Sequence, residues 1–254
     1  MKLKLTWIAQ ALLAFYACPS LCFQHVIPRN INQKPTQVIG GVTVIDTPLV
    51  RAAQAYARQV SANYLYNHII RTWLFGALTI SHNTTLQETV DLEVHALASI
   101  LHDLGLVLNG TWITKERRFE VDSAETATSF VEDQLTYRDE AAEWDAHRLQ
   151  LLFDSILLSS EPKFSLYKQA TVAATVQGVL VDVGEAAYGI TSTEYDNVEA
   201  AFPRLNFISG VNRTLVELCA TKPNTTYDSW QQAFGDAFVP GYSAIGYRLF
   251  DVFH

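Results

Sequence analysis

Thr47-Pro48-Leu49-Val50-Arg51-Ala52-Ala53-Gln54-Ala55-Tyr56-Ala57-Arg58-Gln59-Val60 is the stretch from which the fold class follows. Thr47 is a residue type that caps helices, and Pro48 suits a first turn, where a missing N–H costs nothing. Leu49, Ala52, Ala53, Tyr56 and Val60 then recur at steps of three and four, the spacing of one helical face. Outward from this segment the same period predicts helices from Tyr66 to His82 and from about Leu86 to Leu104, with Gly105 able to take a left-handed cap. A fourth helix starts at Asp122 or Ser123 and ends near Leu135; a long fifth begins at Asp139 and carries Trp144, Leu149, Leu152, Phe153 and Ile156. Another runs from Leu166 to Val183, and shorter ones cover Thr193 to Ala201, Val211 to Ala220 and Tyr227 to Phe238, broken at Pro203, Pro223 and Pro240. With no internal repeat and no run of strands, the expected class is all-α, a helical bundle.

The chain has 254 residues, 49% of them hydrophobic, enough to bury one sizeable core and too few for two comfortable domains. Met1-Lys2-Leu3-Lys4 is a basic start ahead of the apolar run Leu5 to Phe23, the pattern of a signal peptide over 1–22 with cleavage between Cys22 and Phe23. An uncleaved signal anchor is the competing reading, because the run is nearly long enough to span a bilayer. Residues 23–46, with Pro28, Pro35 and Gly40-Gly41, read as an N-terminal arm or short strand; the domain proper covers 47–242, and 243–254 form a tail. Secretion gains support from four acceptor triplets, at Asn83, Asn109, Asn212 and Asn224, of which chance explains one or two. After cleavage Cys219 is the one cysteine left, so no internal disulfide can form and stability rests on core packing. The formal net charge is −8, and loss of Lys2 and Lys4 makes it more negative by two. An acidic chain without a basic run is ill suited to nucleic acid or to an anionic membrane. A small-molecule substrate is the expected partner, and the oligomeric state stays open.

Chemistry enters at Leu97-Ala98-Ser99-Ile100-Leu101-His102-Asp103-Leu104-Gly105, an apolar helix whose last turn presents an imidazole and a carboxylate. Neighbours on a helix point about a third of a turn apart, so both reach one ion only if it lies over the helix end. Buried together without a partner they would carry a large desolvation cost, which a cation removes. The plainer alternative is a His and an Asp facing solvent at a helix end.

One helical hairpin earlier stands Tyr66-Asn67-His68-Ile69-Ile70-Arg71-Thr72-Trp73-Leu74-Phe75-Gly76. Together these words resemble the HD superfamily, specifically the fungal and bacterial HD-domain proteins grouped with cyanamide hydratase. The resemblance continues through Lys115 to Asp122, Leu180-Val181-Asp182-Val183-Gly184, Ala201-Phe202-Pro203-Arg204, Lys222 to Tyr227 and Phe234 to Tyr242, so it spans about Thr47 to Tyr242. It implies an HD-domain helical bundle with one divalent metal ion in its core, held by His68, His102, Asp103 and Asp182. Zinc is the first choice, with iron or manganese as alternatives. Such an ion activates water against an electrophilic carbon or phosphorus. In relatives of the cyanamide hydratase type that carbon belongs to a small nitrile, whereas other HD proteins hydrolyse phosphate esters.

In one place the chain departs from that pattern. Where the family reads along the lines of D-A-I-A-L-H-T, this sequence has Asp154-Ser155-Ile156-Leu157-Leu158-Ser159-Ser160, so Ser159 stands for the usual histidine. A hydroxyl does not carry protons at neutral pH, which points to a mononuclear site and to altered activity. Asp103, Glu120 and Arg71 are the candidates for catalysis. Glu120 reads as a general base or a support for the ligands, equally as a capping or surface residue; Arg71 as an anion holder or, more simply, a structural ion pair. His95 reads as a solvated or helix-packing histidine and Lys115 as an exposed loop lysine. Tyr66, Trp73 and Trp144 read as core aromatics, any of which can instead shape a substrate pocket. No Gly-rich phosphate loop, G-x-S-x-G elbow, paired C-x-x-C or H-E-x-x-H occurs. The expectation is a secreted, metal-dependent hydrolase or hydro-lyase adding water to a small carbon–nitrogen compound. A phosphohydrolase is the runner-up, and a catalytically diminished scaffold that binds a ligand or partner is the third reading.

Overall fold

The computed structural model describes residues 34–136, 139–184 and 187–253. The expected signal peptide and most of the expected arm lie outside the described residues. Within them the chain is all-α apart from one two-stranded hairpin.

That hairpin pairs β1 (Thr36–Ile39) with antiparallel β2 (Val42–Ile45) across Gly40-Gly41, both at positive φ as a two-residue hairpin turn demands. Val42, Val44 and Ile45 are buried in the main core. This part of the presumed arm is therefore built into the domain.

Helix α1 (Pro48–Val60) begins as the sequence suggests, with the Thr47 side chain accepting from Val50 N and Pro48 at the first position. Helix α2 (Asn63–Ser81) is the axis of the fold: His68 to Gly76 are buried without a break. A helix that is apolar all round must be covered all round. Around it pack α4 (Leu92–Leu101), α8 (Ala170–Val183), α9 (Ser192–Ala201) and α10 (Phe207–Thr221), and α4 in turn rests on α6 (Ala146–Leu157) and α5 (Phe119–Leu135). The α2–α8 crossing is close enough that a Cβ at Gly178 would stand 2.3 Å from the Thr72 carbonyl oxygen. Small helices α3 (Thr84–Thr89), α7 (Pro162–Ser165), α11 (Gln232–Phe238) and α12 (Leu249–Val252) complete the order.

Several boundaries differ from the periodicity, three of them for a polar reason. The expected third helix is two, because Asp91 turns its carboxylate onto Glu93 N and Val94 N and starts α4 afresh. The fifth starts at Ala146, capped by Asp145, after a 3-10 turn at Asp139–Glu143. The fourth starts at Phe119, and Asp122, expected as a cap, is instead buried and accepts from Thr114 N, Thr114 Oγ1 and Lys222 Nζ.

Gly105 is not a left-handed cap. It sits in the 3-10 turn Leu104–Leu106, where a Cβ would lie 2.0 Å from the Phe119 carbonyl oxygen, and its N–H donates to Ser123 Oγ. Only glycine lets α5 come this close to the end of α4. Among the described residues no helix is long and apolar enough to cross a membrane.

Candidate metal centre

Three elements converge at one end of α2. His68 projects from its second turn, His102 is the residue that ends α4, and Asp103 follows in a non-helical conformation. All three are buried, and one ligand atom from each lies within 4.8 Å of the other two. Nε2 of His68 is 3.3 Å, and Nε2 of His102 3.4 Å, from the same oxygen, Asp103 Oδ2. Both separations are longer than an ordinary N–H···O bond. They equal the edge of a tetrahedron whose metal–ligand bonds are about 2.0 Å, roughly 3.3 Å.

The other ring nitrogens are already engaged. His102 Nδ1 donates to the Ser99 carbonyl oxygen at 2.8 Å, and His68 Nδ1 donates to Asp182 Oδ2 at 2.6 Å. An imidazole whose Nδ1 carries a hydrogen bond of this kind presents Nε2 outward, the usual support of a metal-binding histidine. The donor set can thus hold a divalent ion through His68, His102 and Asp103, with coordination positions to spare.

Asp182 occupies a different place from the one the resemblance implies. It is fully buried near the end of α8 and is not one of the three converging groups. Its carboxylate lies on the far edge of His68, where it also takes a two-pronged ion pair from Arg71, Nε to Oδ1 at 2.5 Å and the terminal nitrogen to Oδ2 at 2.9 Å. Arg204 approaches the same carboxylate at 3.5 Å. Arg71 is accordingly the structural ion pair of the two readings open to it, buried at 0% exposure with no face left for an anion.

The charges obey this arrangement. Burial disfavours charge on His68, but the Asp103 and Asp182 carboxylates on its two sides hold the pKa up at about 9. Burial holds His102 below the ordinary imidazole value. Asp103 stays below its usual range although it is buried, because His102 and His68 stand beside it. Asp182, opposed by burial, is brought down to about 2 by His68 and Arg71. Two carboxylates flanking one imidazole favour positive charge there, which is the field a cation also answers.

Glu120 is buried but belongs to another cluster: it accepts from Arg118, from Ser160 Oγ at 2.6 Å and from Gln231 Nε2 at 2.9 Å. Ser160 in turn accepts from the indole of Trp230. Ser159 is buried beside this cluster, at the foot of α6. His95 is a helix-packing histidine, with Nδ1 against Thr175 Oγ1 at 3.2 Å, and Lys115 is exposed. Trp73 and Trp144 are core, the latter under the Arg148 guanidinium, whereas Tyr66 is half-buried beneath Arg58.

Sequence reasoning missed two contributors and one contact of Arg71. Asn67, beside His68, donates to Pro203 O at 2.7 Å, and the ring of Phe207 stacks on His68 with centroids 4.5 Å apart; Arg71 also reaches Phe202 O at 3.0 Å. The adjacency of Asn67 and Arg71 to His68 was a signal that this helix face grips something; nothing local pointed to Phe207. No model of a known protein family matches the chain and no curated protein matches it, so the site stands on its own residues.

Proposed function

We propose that this is a secreted, metal-dependent enzyme of the HD type that adds water to a small carbon–nitrogen substrate, in the manner of a cyanamide hydratase. The observation that carries the proposal is the meeting of His68 Nε2 and His102 Nε2 at Asp103 Oδ2, with both Nδ1 positions anchored from behind. A divalent ion, zinc by first choice, would supply Lewis acidity there and lower the pKa of water towards neutrality.

The chain's own residues have separate duties in this reading. His68, His102 and Asp103 hold the ion, and Asp103 also orients water as a hydrogen-bond acceptor. Asp182 and Arg71 fix the tautomer and direction of His68 without touching substrate. Glu120 is engaged by Arg118, Ser160 and Gln231 and has no part in holding the ion. In the reaction the water oxygen bonds to the nitrile carbon as one π bond of the C≡N group opens, one water proton passing to nitrogen and the other staying on oxygen. The resulting C(OH)=NH then moves its O–H proton to nitrogen as C=O forms and C=N becomes C–N, giving the amide-type product.

Charge argues for a small neutral substrate over a phosphate ester. Arg71 and Arg204, the guanidiniums next to the site, both face Asp182, and Arg118 faces Glu120 and Glu161. The secreted setting draws on the leader-like N-terminus and on the exposure of Asn83, Asn109 and Asn224; Asn212 is half-buried on α10. A second reading, a diminished scaffold that binds a ligand or partner, is favoured by Ser159, where the resembling family has histidine.

The test is to incubate metal-loaded protein with cyanamide and with a generic phosphate ester. Urea without phosphate supports the hydro-lyase, phosphate without urea the runner-up, and bound metal with neither product the scaffold.

A further inference from the structure

We infer that Phe207 is a positioning residue for the metal centre, holding the His68 imidazole so that Nε2 faces His102 and Asp103; this rests on the metal-site reading above.

The geometry begins with the ring itself. His68 is held at both nitrogens and at one edge: Nδ1 by Asp182, Nε2 near Asp103, and the His102 ring edge-on at 5.3 Å. None of these contacts covers a face, so rocking of the ring about its Cβ–Cγ bond is opposed by hydrogen bonds in the ring plane alone. Phe207 covers one face, with a 27° angle between the planes, and is itself only 5% exposed. Its ring also lies 5.6 Å from the Arg71 guanidinium, the group that fixes Asp182. One aromatic side chain therefore touches both the ligand and the ion pair that orients it.

The chain goes to some trouble to deliver this ring. Residues 202–206 link α9 to α10, and two side chains of α2 bind that link, Asn67 at Pro203 O and Arg71 at Phe202 O, while Arg204 within it folds back to Asp182, Tyr195 and Glu199. Between the anchors, Leu205 adopts φ +52° with its side chain 57% exposed. A leucine in the left-handed region is strained and persists only where the surroundings dictate it. The outward, strained Leu205 gains nothing by burial. The residue that does is Phe207, turned inward, while its neighbour Ile208 is 73% exposed.

The experiment uses the full chain in four forms: wild type, Phe207→Leu, Phe207→Tyr and Leu205→Gly. Leucine fills space without a flat face, tyrosine keeps the face, and glycine at 205 relieves strain without altering the ring. Two readouts are taken, the affinity and d–d absorption of added Co²⁺, and, on metal-free protein, the exchange rate of the His68 Nδ1 proton by ¹⁵N-resolved NMR. We expect Phe207→Leu to weaken Co²⁺ binding by about tenfold or more, as loss of a ligand's support does, with an altered spectrum and faster Nδ1 exchange. Phe207→Tyr and Leu205→Gly should match wild type in both. Equal affinity, spectrum and exchange in wild type and Phe207→Leu would show that the ring only fills space and would overturn the inference. Should wild type bind no cobalt while Phe207→Leu still speeds exchange, the metal reading fails and the positioning of His68 stands.

Discussion

His68 Nδ1 donates to Asp182 Oδ2 at 2.6 Å across 114 residues of chain, joining the second turn of α2 to the last turn of α8. The same carboxylate receives Arg71, one turn along from His68. Asp182 thereby couples the α2–α8 interface to the direction in which a candidate ligand nitrogen points.

Asp182→Asn keeps the shape and removes the charge. It leaves the fully buried Arg71 without its counter-ion, and breaking a buried pair from one side costs about 3–5 kcal/mol. Urea unfolding should show a loss of that order, and metal affinity should fall by roughly 10–100-fold because His68 loses its anchor. An unchanged unfolding midpoint would mean that the Arg71–Asp182 contact is not formed in solution.

Gly105→Ala places a methyl group 2.0 Å from the Phe119 carbonyl oxygen, so α5 must move from the end of α4. Overpacking of this kind costs about 1–3 kcal/mol. Because Asp103 lies two residues away, metal affinity should drop together with the melting temperature. A variant as stable as wild type would place α5 further from this turn than described.

His95 offers a pH signature distinct from that of the metal centre. Burial lowers its pKa from 6.5 to about 4, so the folded protein holds it neutral while the unfolded chain takes up a proton. Its contribution is full above pH 6.5 and is lost as pH falls towards 4, by up to about 3 kcal/mol. The difference in urea midpoint between pH 7 and pH 4.5 should be smaller in His95→Gln than in wild type. Identical differences would show that His95 reaches solvent.

Lys222 is 5% exposed and its ammonium donates to Thr114 O, Arg117 O and Asp122 Oδ2, tying the loop before α5 to the end of α10. Lys222→Met should destabilise by about 3 kcal/mol, since Asp122 loses its buried partner and keeps only the part-exposed Arg117 and the Thr114 donors. Lys115→Ala, on an exposed side chain, should stay within about 0.5 kcal/mol. Calorimetric melting of the two variants distinguishes these outcomes.

Much of the bundle was legible because apolar side chains at steps of three and four leave a helix no other way to hide them. Thr47 and Pro48 marked the start of α1 correctly for that reason. Boundaries failed where a polar side chain had two possible uses. Asp122 looks like a cap in sequence but finds Lys222 a hundred residues away, and Asp91 falls inside the expected third helix but starts a new one. Of the site, His102 and Asp103 stand out as polar residues at the end of an apolar helix, whereas His68 and Asp182 enter through the family resemblance. Whether Asp182 stood in front of His68 or behind it could not be read, since both arrangements need the same residue at the same position. Phe207 was invisible for a different cause: its role depends on a left-handed Leu205, and nothing in a leucine announces that conformation.

The central claim is that His68, His102 and Asp103 share one divalent ion. The measurement that meets it most directly is elemental analysis of the full chain after zinc loading and dialysis, for wild type beside His102→Ala and Asp103→Ala. The account predicts one zinc per wild-type chain and little or none in either variant, with wild type alone gaining melting temperature from the metal. A wild type that retains no zinc, or variants that retain as much as wild type, would contradict it.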